Sequence, residues 1–386
     1  MKRLIGIACC IAFAINLFAQ RQPDKIYMQN IHTVQLFLTG NQLGYPIIQP
    51  GVVSATELHF DDLDGTVKNY SYTYQLCNAD WQPVDLSPFD YLDGFTQNRI
   101  TQYRASSIAS VRYIHYQALL PERNCMPKLS GNYLLKVFLN GDTSKLAFTK
   151  RLMVVNNVVS VAAQIQQPFN TELFKTHQKV QFSIDKTKLN VLNPMQQIKV
   201  VVLQNYRWDN AVTGAQPAFM RQNVFEYNGE KDFLFPAGKE YRWVDLRSFR
   251  FLSDRIKSAN REVTPVEIQV APDGDRNNQP YEGKDLYIMG QMTGYNYNDS
   301  TRLHFNANLG VYEATLLLKQ GYYTYLFGTK DINNAKAPIN LATTEGNYWE
   351  TENNYTILVY YRSFSDRADE LVGAYTINSR ASRTGL

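Results

Sequence analysis

Residues 70–77, YSYTYQLC, alternate a large apolar side chain with a small or polar one over eight positions. Successive side chains of a strand point to opposite faces, so this pattern fits a strand with one face on a core and the other on water. Trp81 follows at once. Pro83, Pro88 and Gly94 then break any regular ladder, because proline has no N–H to donate and glycine marks a bend. Residues 69–99 therefore read as a strand ending in an aromatic anchor and a long, ordered surface loop.

Comparable runs flank it. Residues 31–38 (IHTVQLFL), 52–60 (VVSATELHF), 111–120 (VRYIHYQALL, with Tyr113 and His115 on one face), 134–140 and 148–155 read as strands. Asp61-Asp62-Leu63-Asp64-Gly65 supplies the Asp-Gly signal of a hairpin into residues 70–77, since glycine tolerates the positive φ of such turns. Its acidic residues do not fit a calcium loop: with Gly65 at loop position six, Phe60 and Ser71 fall where ligands belong. Tyr133 stands where the hydroxyl of a tyrosine corner bonds back to nearby backbone. Strands at this spacing with turn signals between them indicate a β-sandwich.

Asn156-Asn157 and Gln166-Gln167-Pro168 mark a boundary. Beyond it, residues 179–184, 198–203 (IKVVVL), 225–235 and 241–244 read as strands, the second continuous enough to be buried on both faces. Phe249, Leu252 and Ile256 fall at helical spacing, so residues 248–260 are predicted to form a short helix. A second linker, residues 271–280 (APDGDRNNQP), precedes residues 285–290, 310–318, 321–328 and 355–361, read as a last β-domain. Gly321-Tyr322-Tyr323 echoes Gly131-Asn132-Tyr133, each opening a strand. The expected organisation is all-β, with tandem β-sandwich domains of immunoglobulin-like or early-set type: an N-terminal sandwich over residues 20–156, a middle β-rich domain over 157–270 and an early-set-like sandwich over 271–386.

The N-terminus reads as a cleaved signal peptide over residues 1–19. Met1-Lys2-Arg3 is a positive n-region, Leu4 to Phe18 an apolar h-region, and Ala19 a small residue at the cleavage point. Its removal leaves 37 basic against 35 acidic residues with no basic cluster, which argues against nucleic acid or anionic membranes as partners. No later run of 18 apolar residues exists, and the interrupted alternation does not suit an outer-membrane barrel, so the mature chain is expected not to span a membrane. Charged residues make up only 19%, while 26 tyrosines and 20 phenylalanines give the chain side chains suited to strands and interfaces. Cys77 and Cys125 survive processing. An oxidising compartment permits a disulfide between them; two unpaired thiols are the default expectation.

Nothing in the sequence carries catalysis. His32, His59, His115, His177 and His304 are scattered without metal-ligand spacing, and no nucleotide loop or nucleophile elbow occurs. Glu350 and Glu352 would share one face of a strand roughly 7 Å apart, formally a glycosidase pair, but with Glu345 they read better as a polar loop. Neither a metal nor a cofactor is expected.

Several stretches resemble the plug protein family of the type IX secretion system of Bacteroidota, formerly a domain of unknown function. They are YSYTYQLCNADWQPVDLSPFDYLDGF, the strand at 110–116 with its YIHY, LSGNYLLKVF, APDGDRNNQPYEGKDL, LLLKQGYYTYLF, EGNYWETENNYTILVYYR and LVGAY, spread from about residue 25 to 378. One departure is Leu76-Cys77, where the family pattern has His-Cys. The resemblance implies a soluble, non-enzymatic periplasmic protein at the inner side of the outer membrane. There it would close the periplasmic mouth of the giant outer-membrane translocon barrel. Within that reading, Trp81, Phe89, Tyr91, Phe95 and Arg99 are the candidate partner interface; the alternative for Trp81 and Phe95 is that they cap their own sandwich. The last segment also resembles early-set and starch-binding sandwiches, with Tyr295 in the sugar-stacking place. The second reading is therefore a secreted carbohydrate-binding protein.

Overall fold

The Tyr70–Cys77 strand lies inside a five-stranded sheet, paired antiparallel with Gly131–Leu139 from Asn132↔Cys77 to Leu139↔Tyr70. The computed structural model describes residues 23–107, 111–228, 230, 232–246, 256–258, 264–272, 279–295, 297–319, 321–334 and 337–381. The expected signal peptide lies outside the described residues. The sheet runs Ile47–Ile48, Leu146–Val154, Gly131–Leu139, Tyr70–Cys77, Asn98–Arg99. Facing it is a four-stranded sheet in the order Ile31–Leu38, Thr56–Asp62, Ile114–Leu120, Gln102–Ala105.

Alternation explains the core between these sheets. Tyr70, Tyr72, Tyr74 and Leu76 all point inward and are buried, joined by Phe60, Tyr116, Tyr133 and Phe148. Phe60 meets Tyr70 edge-on at 5.1 Å and stacks on Tyr116 at 5.0 Å. A buried tyrosine needs a partner for its hydroxyl, and most here have one. Tyr70 donates to Asp62 (2.8 Å), Tyr72 to Glu122 (3.1 Å), and Tyr133 to the Leu129 carbonyl (2.9 Å). The last bond is the expected tyrosine corner. Tyr323 repeats it on the Lys319 carbonyl at 2.7 Å, so the two Gly-X-Tyr echoes are the same device.

Several expectations change. Residues 61–65 do not turn a hairpin. Asp61 and Asp62 belong to the Thr56–Asp62 strand, which pairs with Ile31–Leu38 and Ile114–Leu120, while Tyr70–Cys77 lies in the opposite sheet. Phe60 and Tyr70 meet edge-on across the core, so the Asp-Gly segment crosses between layers. Secondly, the back of the Gly131–Leu139 sheet does not all face water. Cys77, Leu134, Met153 and Val155 pack against Val201, Leu203, Leu358, Tyr360 and Leu371. The strand GNYLLKVFL is accordingly buried on both faces, as its unbroken apolar run requires.

Those covering residues belong to a second sandwich. One layer runs Ser160–Gln166, His177–Asp185, Val224–Tyr227, Phe219–Arg221; the other runs Arg207–Thr213, Ile198–Gln204, Asn354–Tyr361, Glu370–Asn378. Ile198 pairs with Tyr361 and Gln204 with Tyr355, so residues 355–361 complete the middle segment rather than the last one. The expected boundary at 270/271 does not coincide with the strand pairing. Between the strands Leu234–Pro236 and Asn354–Tyr361, the chain builds a seven-stranded sheet around its own core of Val244, Ile268, Ile288, Leu303, Tyr312, Tyr325 and Phe327. Of the predicted helix at 248–260, only Ile256–Ser258 is described, and it is a strand pairing with Thr264–Val270.

Candidate partner-binding surface

The loop after Trp81 is pinned at both ends. Ser87 starts the short helix Pro88–Tyr91, its N–H donating to Asp90 Oδ2 at 3.1 Å. Pro88 enters without losing a bond, because the first helical N–H has no intrahelical partner. Leu92–Gly94 then pairs with Cys125–Pro127. Gly94 has φ +83°, and a Cβ there would lie 2.3 Å from the Asn124 carbonyl oxygen. Only glycine fits. Phe95 N–H donates to the same carbonyl at 2.6 Å, and Lys128 N–H to the Tyr91 carbonyl at 2.9 Å.

This frame divides the five candidate residues. Phe89 and Phe95 stand out from the loop, 71% and 65% exposed, and Arg99 is exposed with its guanidinium on Asn69. Tyr91 is buried against Tyr133, ring centroids 6.1 Å apart. Trp81 is also buried, and it is neither a free anchor nor a cap on its own sandwich. Its ring meets Trp208 of the second sandwich edge-on at 5.1 Å. The Arg151 guanidinium sits 5.0 Å from the Trp81 ring and 4.8 Å from the Trp208 ring. Burial opposes ionisation of Asp24, yet Lys150 at 3.4 Å and the Arg151 ion pair hold its carboxyl down to about 2. Trp81 thus joins two sandwiches and leaves the candidate outward surface to Phe89, Phe95 and Arg99.

Next to this junction lies a cleft of about 520 Å³, whose lining includes Tyr45, Arg151, Tyr206, Trp208, Tyr295 and Tyr297. Tyr295, the sugar-stacking candidate, is exposed and lines this cleft, edge-on to Tyr241. Glu345 is buried in another fixed pairing: it takes two bonds from Arg242 (2.9 and 3.1 Å) and one from Phe327 N–H (3.0 Å). Glu352 accepts from Asn378 at 2.9 Å. Among the described residues, no helix is long and apolar enough to cross a membrane.

The cysteines do not bridge. Cys77 is out of step with the inward-facing Tyr70, Tyr72 and Tyr74 and faces the second sandwich, whereas Cys125 sits in the first core with Tyr72 and Tyr74. The sheet itself separates them. Burial pushes each thiol up to about 12, and the thiolate is the reactive form. Neither is expected to react with a maleimide in the folded chain at pH 7.5. Both are expected to react in guanidinium without reductant, and mass spectrometry before and after unfolding reads the difference.

Comparison with known proteins bears on this surface. Residues 31–156 match the family described as type 9 secretion system plug protein 1st domain. Those residues match as a type IX secretion plug domain. The matched stretch is the first sandwich, from its first strand to just past its last, and includes the loop with Phe89 and Phe95. The whole chain is similar to a crystal structure of a hypothetical protein from Parabacteroides merdae ATCC 43184. That likeness has 26% identity and a TM-score of 0.85, covering 93% of this chain and 99% of that one. No curated protein matches. The match supports a plug role related to type IX secretion.

Proposed function

We propose that this protein stands in the periplasm and closes the inner mouth of the outer-membrane type IX translocon barrel by fit alone, with no bond made or broken. A channel wide enough for folded cargo leaks when idle, and a rigid β-structure stops it without chemistry. The plug-domain match on the sandwich that presents Phe89 and Phe95 is the observation that carries this reading. The loop is held by Gly94, Asp90 and the Cys125–Pro127 pairing, so little ordering entropy is lost on contact. A specific seat buries roughly 1,200–2,000 Å², with a few aromatic and Arg anchors carrying most of the energy. In this reading the chain works as three β-units: residues 20–156, a sandwich of 157–236 with 354–379, and the unit inserted between them.

Co-purification tests it. The mature chain is expected to come off outer membranes with a giant β-barrel. The double variant Phe89→Ser, Phe95→Ser should keep its melting temperature and lose affinity about tenfold or more. A wild-type chain that never brings the barrel contradicts the reading. Full affinity in the double variant moves the seat to another face.

One observation favours the carbohydrate reading. Trp243 and Tyr322 are both exposed, with stacked rings 6.0 Å apart on adjacent strands of the inserted unit. Micromolar binding of the full chain on a glycan array, lost in Trp243→Ala, is the result that would establish it.

A further inference from the structure

Glu57, His59 and Asp61 alternate along the Thr56–Asp62 strand and so share one face. His115 projects beside them from Ile114–Leu120, directly opposite Asp61. The four groups form one chain of contacts. His59 Nε2 lies 3.2 Å from Glu57 Oε2, His59 Nδ1 3.1 Å from His115 Nε2, and His115 Nδ1 2.7 Å from Asp61 Oδ1. The imidazoles stack at 5.3 Å, and Phe37 stacks on His59 at 5.4 Å. From the inserted unit, Lys319 Nζ reaches Asp61 Oδ1 at 3.2 Å, stands 3.4 Å from His115 Nδ1, and lies over the Tyr113 ring. Asp61 itself is 1% exposed.

Other polar groups ring the chain without entering it. Arg104 lies opposite His115 on the next strand, and Gln117 and Gln35 lie opposite His59. His32 lies opposite Asp61, with its Nε2 3.0 Å from the Gln29 carbonyl. Tyr323 gives its hydroxyl proton to the Lys319 carbonyl.

Counting protons decides what this arrangement holds. Two ionised carboxylates terminate the chain, and both only accept. Three links lie between them, each needing one proton. Two neutral imidazoles bring two. With one proton more, every link is made: His115 donates from both nitrogens, to Asp61 and to His59 Nδ1, while His59 donates from Nε2 to Glu57. A further proton would set N–H against N–H across 3.1 Å. Charge agrees, because the added proton and Lys319 balance Glu57 and Asp61. Burial, with His115 and Lys319 adding to it, pushes His59 down, as suits the ring that stays neutral.

We propose that His59 and His115 form a single proton-binding site holding one proton beyond two neutral rings. The bound proton completes a polar clasp from Glu57 to Lys319, between the first sandwich and the inserted unit. The clasp is fully bonded only within a window of pH. Rising pH removes the shared proton, and with it one link of the clasp. Falling pH favours the unfolded chain, whose His59 accepts a proton that the folded ring resists.

Imidazole nitrogen NMR on the full mature chain, labelled with ¹⁵N-histidine and titrated from pH 8.5 to 5, tests this. His32→Gln, His177→Gln and His304→Gln, one at a time, identify the other three rings by elimination. The pair is expected to take up one proton in one step, recorded at His115, with His59 fixed as the Nε2–H tautomer. Lys319→Met should raise the midpoint by roughly one pH unit, because a cation beside His115 is removed; a role in packing alone would not move it. Two independent one-proton titrations over that range, two rings neutral down to pH 5, or a midpoint indifferent to Lys319→Met would each overturn the proposal. The proton count is read on the unmodified chain, so it does not depend on a variant folding.

Discussion

Trp81→Ala lowers the stability of the folded chain by about 3–5 kcal/mol, the range for truncating a buried aromatic. The Trp81 ring is 8% exposed and fills the seam between two sandwiches, edge-on to Trp208 and under Arg151. Its removal leaves a void beside Trp208 in the buried cluster that also holds Leu134, Met153 and Leu203, residues of two different sheets that cannot close without shifting against each other. The Arg151 guanidinium also loses one of its two aromatic faces, a contact of about 0.5–2 kcal/mol. Guanidinium unfolding followed by tryptophan fluorescence and far-UV dichroism measures the loss. A change under about 0.5 kcal/mol would mean that the ring does not join the sandwiches.

Asp369→Ala is the second large effect, about 2–4 kcal/mol, and Asp369→Asn should cost visibly less. Asp369 is 1% exposed at the start of the Glu370–Asn378 strand. Its Oδ2 accepts from the Ala79 backbone N–H at 2.9 Å, and both oxygens accept from Lys199 Nζ at 2.9 and 3.0 Å. Its own N–H donates to Asn78 Oδ1 at 3.2 Å. One carboxylate thus ties the turn before Trp81 to two strands of the second sandwich. Alanine leaves the Ala79 N–H buried without an acceptor, which costs about 1–3 kcal/mol. Lys199 is half-exposed and turns to water, so the penalty stays below that of a fully buried broken pair. Asparagine keeps an acceptor for Ala79. Equal losses in the two variants would contradict this account.

Much of the fold is legible in the sequence because it is local. Tyr70, Tyr72 and Tyr74 announce their shared face by period alone, and Gly131-Asn132-Tyr133 and Gly321-Tyr322-Tyr323 both signal corners that the hydroxyl bonds of Tyr133 and Tyr323 make. What is not legible depends on distant chain. Residues 355–361 look like any buried strand, and nothing near them says that their partner is Ile198–Gln204, across the inserted unit. The same gap hides the fate of Trp81: its cover comes from Trp208 and Arg151, neither of which carries a local signal. The Asp-Gly turn misleads because a hairpin and a crossover between layers need the same backbone freedom at Gly65. Phe89 and Phe95 are recognisable as candidates because proline and glycine fix the loop, but the sequence does not separate them from Tyr91, which folds inward against Tyr133.

The most direct test of the stopper itself is electrical. Purified type IX translocon barrel in a planar bilayer should conduct freely, and adding the mature chain to the periplasmic side should close it, with the Phe89→Ser, Phe95→Ser variant closing it only at higher concentration. A barrel whose conductance is the same with and without saturating wild-type chain would contradict closure by fit.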